Sequence, residues 1–557
     1  MLVYEAMGEA LKRLGVKAVF GLMGDGNMRF ISHAAGNLGL PYYGAHHENS
    51  AVAMADGYAR VSNRVGVCTV TQGPGVTNAL SALCEAVKAR TPLLLLAGET
   101  PARLTSHHQY IDQAALFNSV AAGVQKVRAG ATIALDLARA YQRALAESRP
   151  IAVSVPNDWL LQNCPEESLG RVKVLPVPRT CPEKEAIQQL CRMIAAAERP
   201  LIMAGRGAVR SEARQTLQAL GERIGALFAT TVHAKGFFSG QRYDAGVSGG
   251  FASEAACALI GQADLVLAFG ASLPIFATRN REIFSASAKI VQIDTHAASI
   301  GGATATDYGV VGDAAATAAA LLSELERTGV AKEGFRSKAL EKEVASLHVL
   351  TPLRDESDAT TADPRALMKR LDAMLPRERT VVVDSGHAMG WSVQHLSVPD
   401  GQGFVFGNDF MVVGLGVATA MGAAVARPER LTVAAPGDGG LTMSIGELET
   451  LVRYRIPMLV LAINDAGFGV EVHILRHFGQ TTAQATFNDT DFAAVGKSFG
   501  TLGLTVRRPE DLEALKEWLS APSGPMVVDC KVNPTIMGDW FKENISPASW
   551  LMRMMSH

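Results

Sequence analysis

Two carboxylates near the carboxyl end of the chain have types and surroundings suited to chemistry. Asp438 stands in Pro436-Gly437-Asp438-Gly439-Gly440, and Asp465 in Asn464-Asp465-Ala466-Gly467. Glycines at 439 and 440 allow a backbone to come close to a phosphate group, and the N–H groups opening a following helix point at such an anion. Two carboxylates facing a diphosphate would repel it unless a cation lay between them. Oxygen-only ligands suit a hard cation such as Mg²⁺ or Ca²⁺. The pair therefore reads as a metal-bridged diphosphate clamp. A lone Gly-Asp-Gly is also an ordinary turn sequence, so the second acid carries the weight.

The elements that must hold these acids can be read nearby. Leu431–Ala435 and Met458–Ile463 are apolar runs that predict buried parallel strands. Between them Ile445, Leu448, Leu451 and Val452 share one face and predict a helix over Leu441–Tyr454. A strand–helix–strand unit of this kind crosses over right-handed and binds ligands at the carboxyl ends of its strands.

The same rhythm runs through the chain. Apolar runs at Ala18–Phe20, Val65–Thr71, Leu93–Ala97 and Ile151–Val155 alternate with helical patterns at Ser50–Val61 and Thr77–Ala89. Further runs lie at Pro200–Ala204, Leu265–Phe269, Ile290–Ile293 and Val381–Asp384. A chain of 557 residues is too long for one core. The expected layout is α/β, with three doubly wound parallel-sheet domains. These are residues 1–165, 186–345 and 363–532, with linkers at 166–185 and 346–362. The tail, 533–557, holds Trp540, Phe541, Trp550, Met552, Met554 and Met555; it is apolar enough to be expected to pack on the body or close over a site.

Charge and cysteines exclude some classes. A net charge of −2 gives no pull toward nucleic acid or an anionic membrane. No apolar run is long enough to span a bilayer, and the amino terminus lacks a signal-peptide layout. Seven scattered cysteines without Cys-x-x-Cys argue for a reducing compartment and against a zinc site. A cytoplasmic location is expected.

The spacing of Gly-Asp-Gly and Asn-Asp, with Asn464 26 residues after Asp438, resembles the thiamine-diphosphate motif, whose usual ending is Asn-Asn. Asp465 stands where asparagine is commoner. The resemblance implies that Asp438, Asp465 and the Gly467 carbonyl hold Mg²⁺, and that Gly437, Gly439, Gly440, Phe468 and Gly469 line the diphosphate.

In the first unit, His46-His47-Glu48-Asn49 opens a small-residue helix that ends Gly57-Tyr58-Ala59-Arg60. By residue physics alone Glu48 is a favourable helix-start charge. The run also resembles the pyrimidine-binding domain of the acetolactate-synthase, pyruvate-oxidase and benzoylformate-decarboxylase group. There the glutamate donates to the pyrimidine N1′ nitrogen, and the 4′ nitrogen then removes the thiazolium proton to give the ylid. The relay requires Glu48 to carry or share a proton. Gln72-Gly73-Pro74-Gly75-Val76-Thr77-Asn78 is a strand–helix turn that resembles the group's loop beside the aminopyrimidine, which implies Gly73, Pro74 and Asn78. Gly24-Asp25-Gly26-Asn27 is a weak turn motif that in the group faces the thiazolium of a partner subunit. Gln109 lies in a segment similar to one that puts a glutamine near the reacting centre. His107 and His108, just before it, read as loop spectators more readily than as acids.

In the third unit the resemblance implies Gly386 and His387 against the diphosphate, Val413 as the apolar prop that bends the cofactor, and the Met411 carbonyl as acceptor for its amino group. Glu471 and His473 follow the metal loop, either as proton carriers facing the substrate or as an ordinary solvated helix face. Two departures stand out. No tryptophan lies near Ile474, and Gly270-Ala271-Ser272-Leu273-Pro274 replaces the Arg-Phe-Asp-Asp-Arg of flavin-binding members. Both argue against branched-chain biosynthesis and against FAD in the middle unit.

The resemblance implies a thiamine-diphosphate- and Mg²⁺-dependent enzyme that decarboxylates or ligates small 2-oxo acids. A C–C lyase or dione hydrolase without decarboxylation is the alternative, and a non-catalytic nucleotide-binding subunit a remote one. Relay and clamp lie on different domains, which in the group meet across a subunit interface, so the resemblance implies a homodimer or homotetramer with sites at the interface.

Overall fold

The computed structural model describes residues 1–104, 106–348 and 354–545. Its frame is three six-stranded sheets, each parallel throughout. In space, the first runs Tyr42–Gly44, Val19–Gly21, Gly66–Val70, Leu93–Glu99, Pro150–Pro156, Gly123–Val124. The third runs Phe404–Phe406, Arg379–Val383, Leu431–Ala435, Met458–Asn464, Met526–Lys531, Leu502–Val506. Numbered by sequence within each sheet, both have the order 2-1-3-4-6-5. The middle sheet runs Tyr308–Val311, Lys289–Asp294, Leu265–Phe269, Pro200–Ala204, Leu227–Thr230, Asp244–Val247. That is the 3-2-1-4-5-6 order of a doubly wound nucleotide-binding sheet read from the other edge. The central strands are buried on both faces, which is why they read as unbroken apolar runs.

The first and third units share one core, built around the helices Glu48–Ser62 and Gly416–Ala426. The pair packs antiparallel: Gly57 lies against Thr419, and Gly422 against Met54. At both contacts a Cβ would overlap a carbonyl oxygen of the facing helix, so glycine is required for this approach.

Two local expectations are corrected. The helix expected over Leu441–Tyr454 is two, Asp438–Met443 and Glu447–Arg453. Ser444 turns its hydroxyl back onto the Gly440 carbonyl, and Gly446 follows, so the first helix ends there. The break brings Glu447 Oε1 to the His46 N–H at 3.0 Å. The glycine-rich stretch from Asn408 becomes helical only at Gly416; before that, Met411 takes φ +61° and Gly414 φ +93°.

Between the 3₁₀ turn Glu166–Arg171 and the helix Lys184–Ala196, residues 172–183 form no helix or strand. In the tail, Asp539–Ile545 is helical and Trp540 and Phe541 are buried in the core of the third unit. Trp550, Met552, Met554 and Met555 lie outside the described residues.

Candidate active site

Asp438 is the first residue of the helix Asp438–Met443, and Asp465 follows the last residue of the adjacent strand. A bridge between Gly437 and Ile463 brings the two turns side by side. The Gly467 N–H donates to Asp438 Oδ2 at 3.0 Å. Burial pushes the Asp438 carboxyl up to about 6. Burial, and then the Asp438 charge, push Asp465 well above the usual carboxylate range. Asp438 is buried and Asp465 half-buried, and the charge of the first disfavours that of the second, so the pair forms a site that a cation relieves. Among the described residues no three His, Cys, Asp or Glu side chains converge on a metal position. A cation here would take the two carboxylates and the Gly467 carbonyl, all oxygen donors, which suits Mg²⁺ or Ca²⁺. Beside this pair Gly386 takes φ +113° with nothing within 4 Å of where a Cβ would stand, leaving its backbone open to an anion. Gly439 is tight instead: a Cβ there would lie 2.8 Å from the Phe468 ring. Gly469 packs in the same way on Asp465 and His387.

His387 is buried among aromatic rings. Its Nε2 accepts the Gly538 N–H at 3.2 Å, and its ring stacks on Trp540 at 5.8 Å. Burial, and then the neighbouring His473 at 4.6 Å between centroids, push its pKa down to about 3. With Nε2 accepting, the neutral ring carries its proton on Nδ1. His473 is itself buried and near Phe541. Glu471, on the same helix, is exposed.

The segment before Gly416 is held at both ends. The Asp409 and Phe410 N–H groups donate to Glu85 Oε1 and Oε2 at 2.9 and 2.6 Å. The Gly414 N–H donates to both oxygens of Asp384, at 3.1 and 3.0 Å. Burial pushes Asp384 up to about 6, against the N–H groups that it accepts. Between these anchors Met411 is 75% exposed, and Val413 reaches to 3.4 Å from where a Cβ of Gly440 would stand.

On the first unit, Glu48 is the first residue of its helix and is buried. Asn78 Nδ2 donates to its Oε2 at 3.1 Å. Gly73 takes φ +63°, and a Cβ there would sit 2.5 Å from the Gln109 carbonyl; Pro74 then opens the next helix. Gln72 is buried and its Nε2 donates to Gln109 Oε1 at 2.7 Å and to Asp25 at 2.8 and 3.0 Å. The Gly24 N–H donates to Asn27 Oδ1. Gly24, Asp25, Gly73, Pro74, Asn78, Gln109 and Glu48 therefore gather on one edge of the first sheet. His107 Nδ1 accepts the Gln109 N–H, and His108 is exposed.

One chain does not bring the two groups together. The antiparallel contacts put Glu48 nine residues from Gly57 in one direction and Val413 six residues from Thr419 in the other. At 1.5 Å per helical residue the two stand about 20 Å apart along the pair. The far end of the Glu48 helix, Arg60, lies instead beside Phe406 and Asp409.

Sequence reading passed over Glu85, Asp384 and Asp409. Asp384 had a signal, an acid closing an apolar strand just before Ser385-Gly386-His387. Glu85 and Asp409 carried none, because the N–H groups that Glu85 takes up lie more than 300 residues away and the middle-unit partners of Asp409 lie 203 and 176 residues away. The middle sheet also opens at its carboxyl edge into a cleft of about 140 Å³ lined by Arg90, Arg206, Arg210, His233, Asp294 and His296.

Three stretches match domains of the thiamine pyrophosphate enzymes. Residues 1–116 match the N-terminal TPP binding domain, 187–321 the central domain, and 384–530 the C-terminal TPP binding domain. The chain is 28% identical to a sulfoacetaldehyde acetyltransferase of Castellaniella defragrans, over 93% of this chain and 90% of that protein. It is 26% identical to a probable acetolactate synthase large subunit of Methanococcus aeolicus, over 95% and 92% of the two chains. It is 28% identical to an acetolactate synthase of Mycobacterium bovis, over 94% and 87%.

Proposed function

The chain belongs to the thiamine pyrophosphate enzyme family, and from that premise we propose that it acts on a small 2-oxo acid with thiamine diphosphate and Mg²⁺. The substrate carboxylate leaves as CO₂, and the remaining acyl unit takes a proton or passes to an acceptor carbonyl. The names of the relatives, an acetyltransferase and acetolactate synthases, favour passage to an acceptor. The observation that carries the reading is the close pair of carboxylates at the buried Asp438 and the half-buried Asp465, a site that gains from a cation.

Thiamine diphosphate, when bound, supplies a thiazolium carbon that adds to a carbonyl and an electron sink for the C–C bond. The chain's residues do the rest. Asp438, Asp465 and the Gly467 carbonyl would hold the cation that neutralises the diphosphate. Gly386 offers its open backbone, and the neutral His387 offers its Nδ1–H without adding charge. The Met411 carbonyl would accept from the pyrimidine amino group, and Val413 would support the cofactor's bend. Glu48 would hold a proton at the pyrimidine ring nitrogen, with Asn78 fixing one of its oxygens. Gln72 orients Gln109 toward the reacting carbon, beside the Gly24-Asp25 turn. Glu471, on the exposed face, is the better placed of the pair with His473 to meet substrate; His473 steadies His387. Since Glu48 and Val413 stand about 20 Å apart in one chain, the site is completed by a second copy, so the working form is at least a homodimer.

The test is a screen for CO₂ release and ligation over a panel of 2-oxo acids, with and without thiamine diphosphate and Mg²⁺. Turnover that depends on both supports the reading. Product formed without the cofactor overturns it, and activity on diketones alone replaces it with cleavage without decarboxylation.

A further inference from the structure

At Asp409, side chains of all three units meet in a cluster that is buried on the side of the first unit and borders the middle unit's cleft on the other. Arg60 donates to Asp409 Oδ2 at 3.1 Å, to Glu85 Oε1 at 3.1 Å and to the Phe406 carbonyl at 2.7 Å, and it pairs with Asp56 at 2.8 Å. From the middle unit, Arg206 reaches Asp409 Oδ2 at 3.1 Å and His233 reaches Oδ1 at 2.8 Å. The side chains of Arg60, Asp56 and Glu85 are at most 5% exposed. Sequestered ion clusters are seldom worth their desolvation as stabilisers, and their better-attested use is to fix one arrangement among several.

What this cluster fixes is backbone. Both oxygens of Glu85 are taken up by the N–H groups of Asp409 and Phe410, directly before Met411, which is held at φ +61°. Asp384 holds Gly414 on the other side. Only Met411, Val412 and Val413 span the gap. A left-handed methionine is costly and persists where its neighbours over-determine it.

We propose that Glu85 and Arg60 of the first unit are positioning residues, which set the height of the Met411 carbonyl and the Val413 side chain over the clamp of the third unit in the same chain. The assignment rests on the cofactor reading above for its catalytic meaning, but the anchoring itself is a property of the protein alone. It gives the Glu48–Ser62 helix work at both ends: Glu48 at its start serves the site completed with a second copy, and Arg60 near its end steadies the segment of its own chain.

The test separates anchoring from general loosening. Backbone amide exchange is followed by mass spectrometry in the cofactor-free protein for the wild type, Glu85→Gln and Glu449→Gln. Glu449 pairs with His46 at the surface between the same two units, away from the segment. In Glu85→Gln, exchange over residues 407–415 is expected to rise about tenfold or more, with residues 431–443 unchanged. Glu449→Gln is expected to change neither. With thiamine diphosphate and Mg²⁺, Glu85→Gln should bind the cofactor within about threefold of wild type, because the clamp is intact. Its kcat should fall about tenfold with KM little altered. Exchange over 407–415 that stays at the wild-type rate overturns the assignment, as does a rise spread evenly over both units. Should Glu85→Gln fail to fold, Arg60→Lys is read by the same criteria. A wild-type protein that binds no thiamine diphosphate would sink the proposed function, while the exchange pattern would still decide the anchoring.

Discussion

A Cβ on Gly57 would overlap the carbonyl oxygen of Thr419, so two helix backbones touch there with no side chain between them. This contact joins the first and third units and sets which ends of the two helices lie together. Gly57→Ala is therefore expected to destabilise the chain by about 1–3 kcal/mol through overpacking. Urea unfolding followed by tryptophan fluorescence measures it; an unchanged midpoint would mean that the helices can slide apart at no cost.

The same register predicts complementation. Glu48→Gln subunits and Asp438→Asn subunits should each be inactive, the first through loss of the proton relay. Unfolded together and refolded in equal amounts, they should recover about a quarter of wild-type activity. Half of a random mixture is heterodimer, and one of its two sites is intact. A site formed within one chain would recover nothing, because every chain would carry a defect.

Asp465 stands where the family motif ordinarily has asparagine, and burial and the Asp438 charge raise its carboxyl far above its usual range. Asp465→Asn should remove that repulsion. The cofactor-free protein is expected to gain about 1–3 kcal/mol at pH 7.5. Mg²⁺-dependent binding of thiamine diphosphate should stay within about tenfold, since an amide oxygen still ligates. Asp438→Asn should weaken that binding far more, by about a hundredfold or beyond. Calorimetric melting and cofactor titration give both numbers, and equal losses in the two variants would contradict the assigned roles.

Asp384 supplies a pH dependence. Its carboxyl is raised from 3.8 to about 6 in the folded chain. Folding therefore favours its protonated form. Its contribution is whole below about pH 3.8 and is lost as pH rises through about 6. Two pKa units correspond to roughly 3 kcal/mol. The buried histidines His387 and His395, both lowered, work in the opposite sense: their contribution is present above their unfolded pKa and is lost as pH falls. The difference between wild type and Asp384→Asn isolates the carboxyl. Relative to the variant, the wild type should lose stability between pH 4.5 and 7.5; a difference independent of pH would refute the shift.

The α/β class was legible because strands buried on both faces have no polar alternation. Leu431–Ala435, Pro200–Ala204 and Leu265–Phe269 begin and end where their apolar runs do. Edge strands were not legible. Tyr42–Gly44 and Gly123–Val124 are too short to show a period, and Leu502–Val506 is mostly half-exposed. The turns that carry Gly73, Asp438 and Asp465 were visible, since each closes an apolar run with glycine or an acid, and Glu48 was visible as the acid that opens a small-residue helix. What joins those turns was not. The hydrogen bonds from Glu85 to Asp409 and Phe410 link residues more than 300 positions apart, and no local pattern encodes such a pair.

The common strand order of the first and third sheets has a consequence for how the molecule is divided. Strand for strand, the turn after Tyr42–Gly44 that carries Glu48 corresponds to the turn after Phe404–Phe406 that carries Met411. The helices that follow are counterparts as well, and they lie against each other head to tail. Equivalent helices crossing in this way mark a local two-fold axis inside one polypeptide. The chain is thus a covalent pair of like halves with the middle unit inserted in the connection, and the proposed pairing of two chains would set side by side four variations on a single scaffold, two for the proposed acid–base work and two for the proposed anion holding.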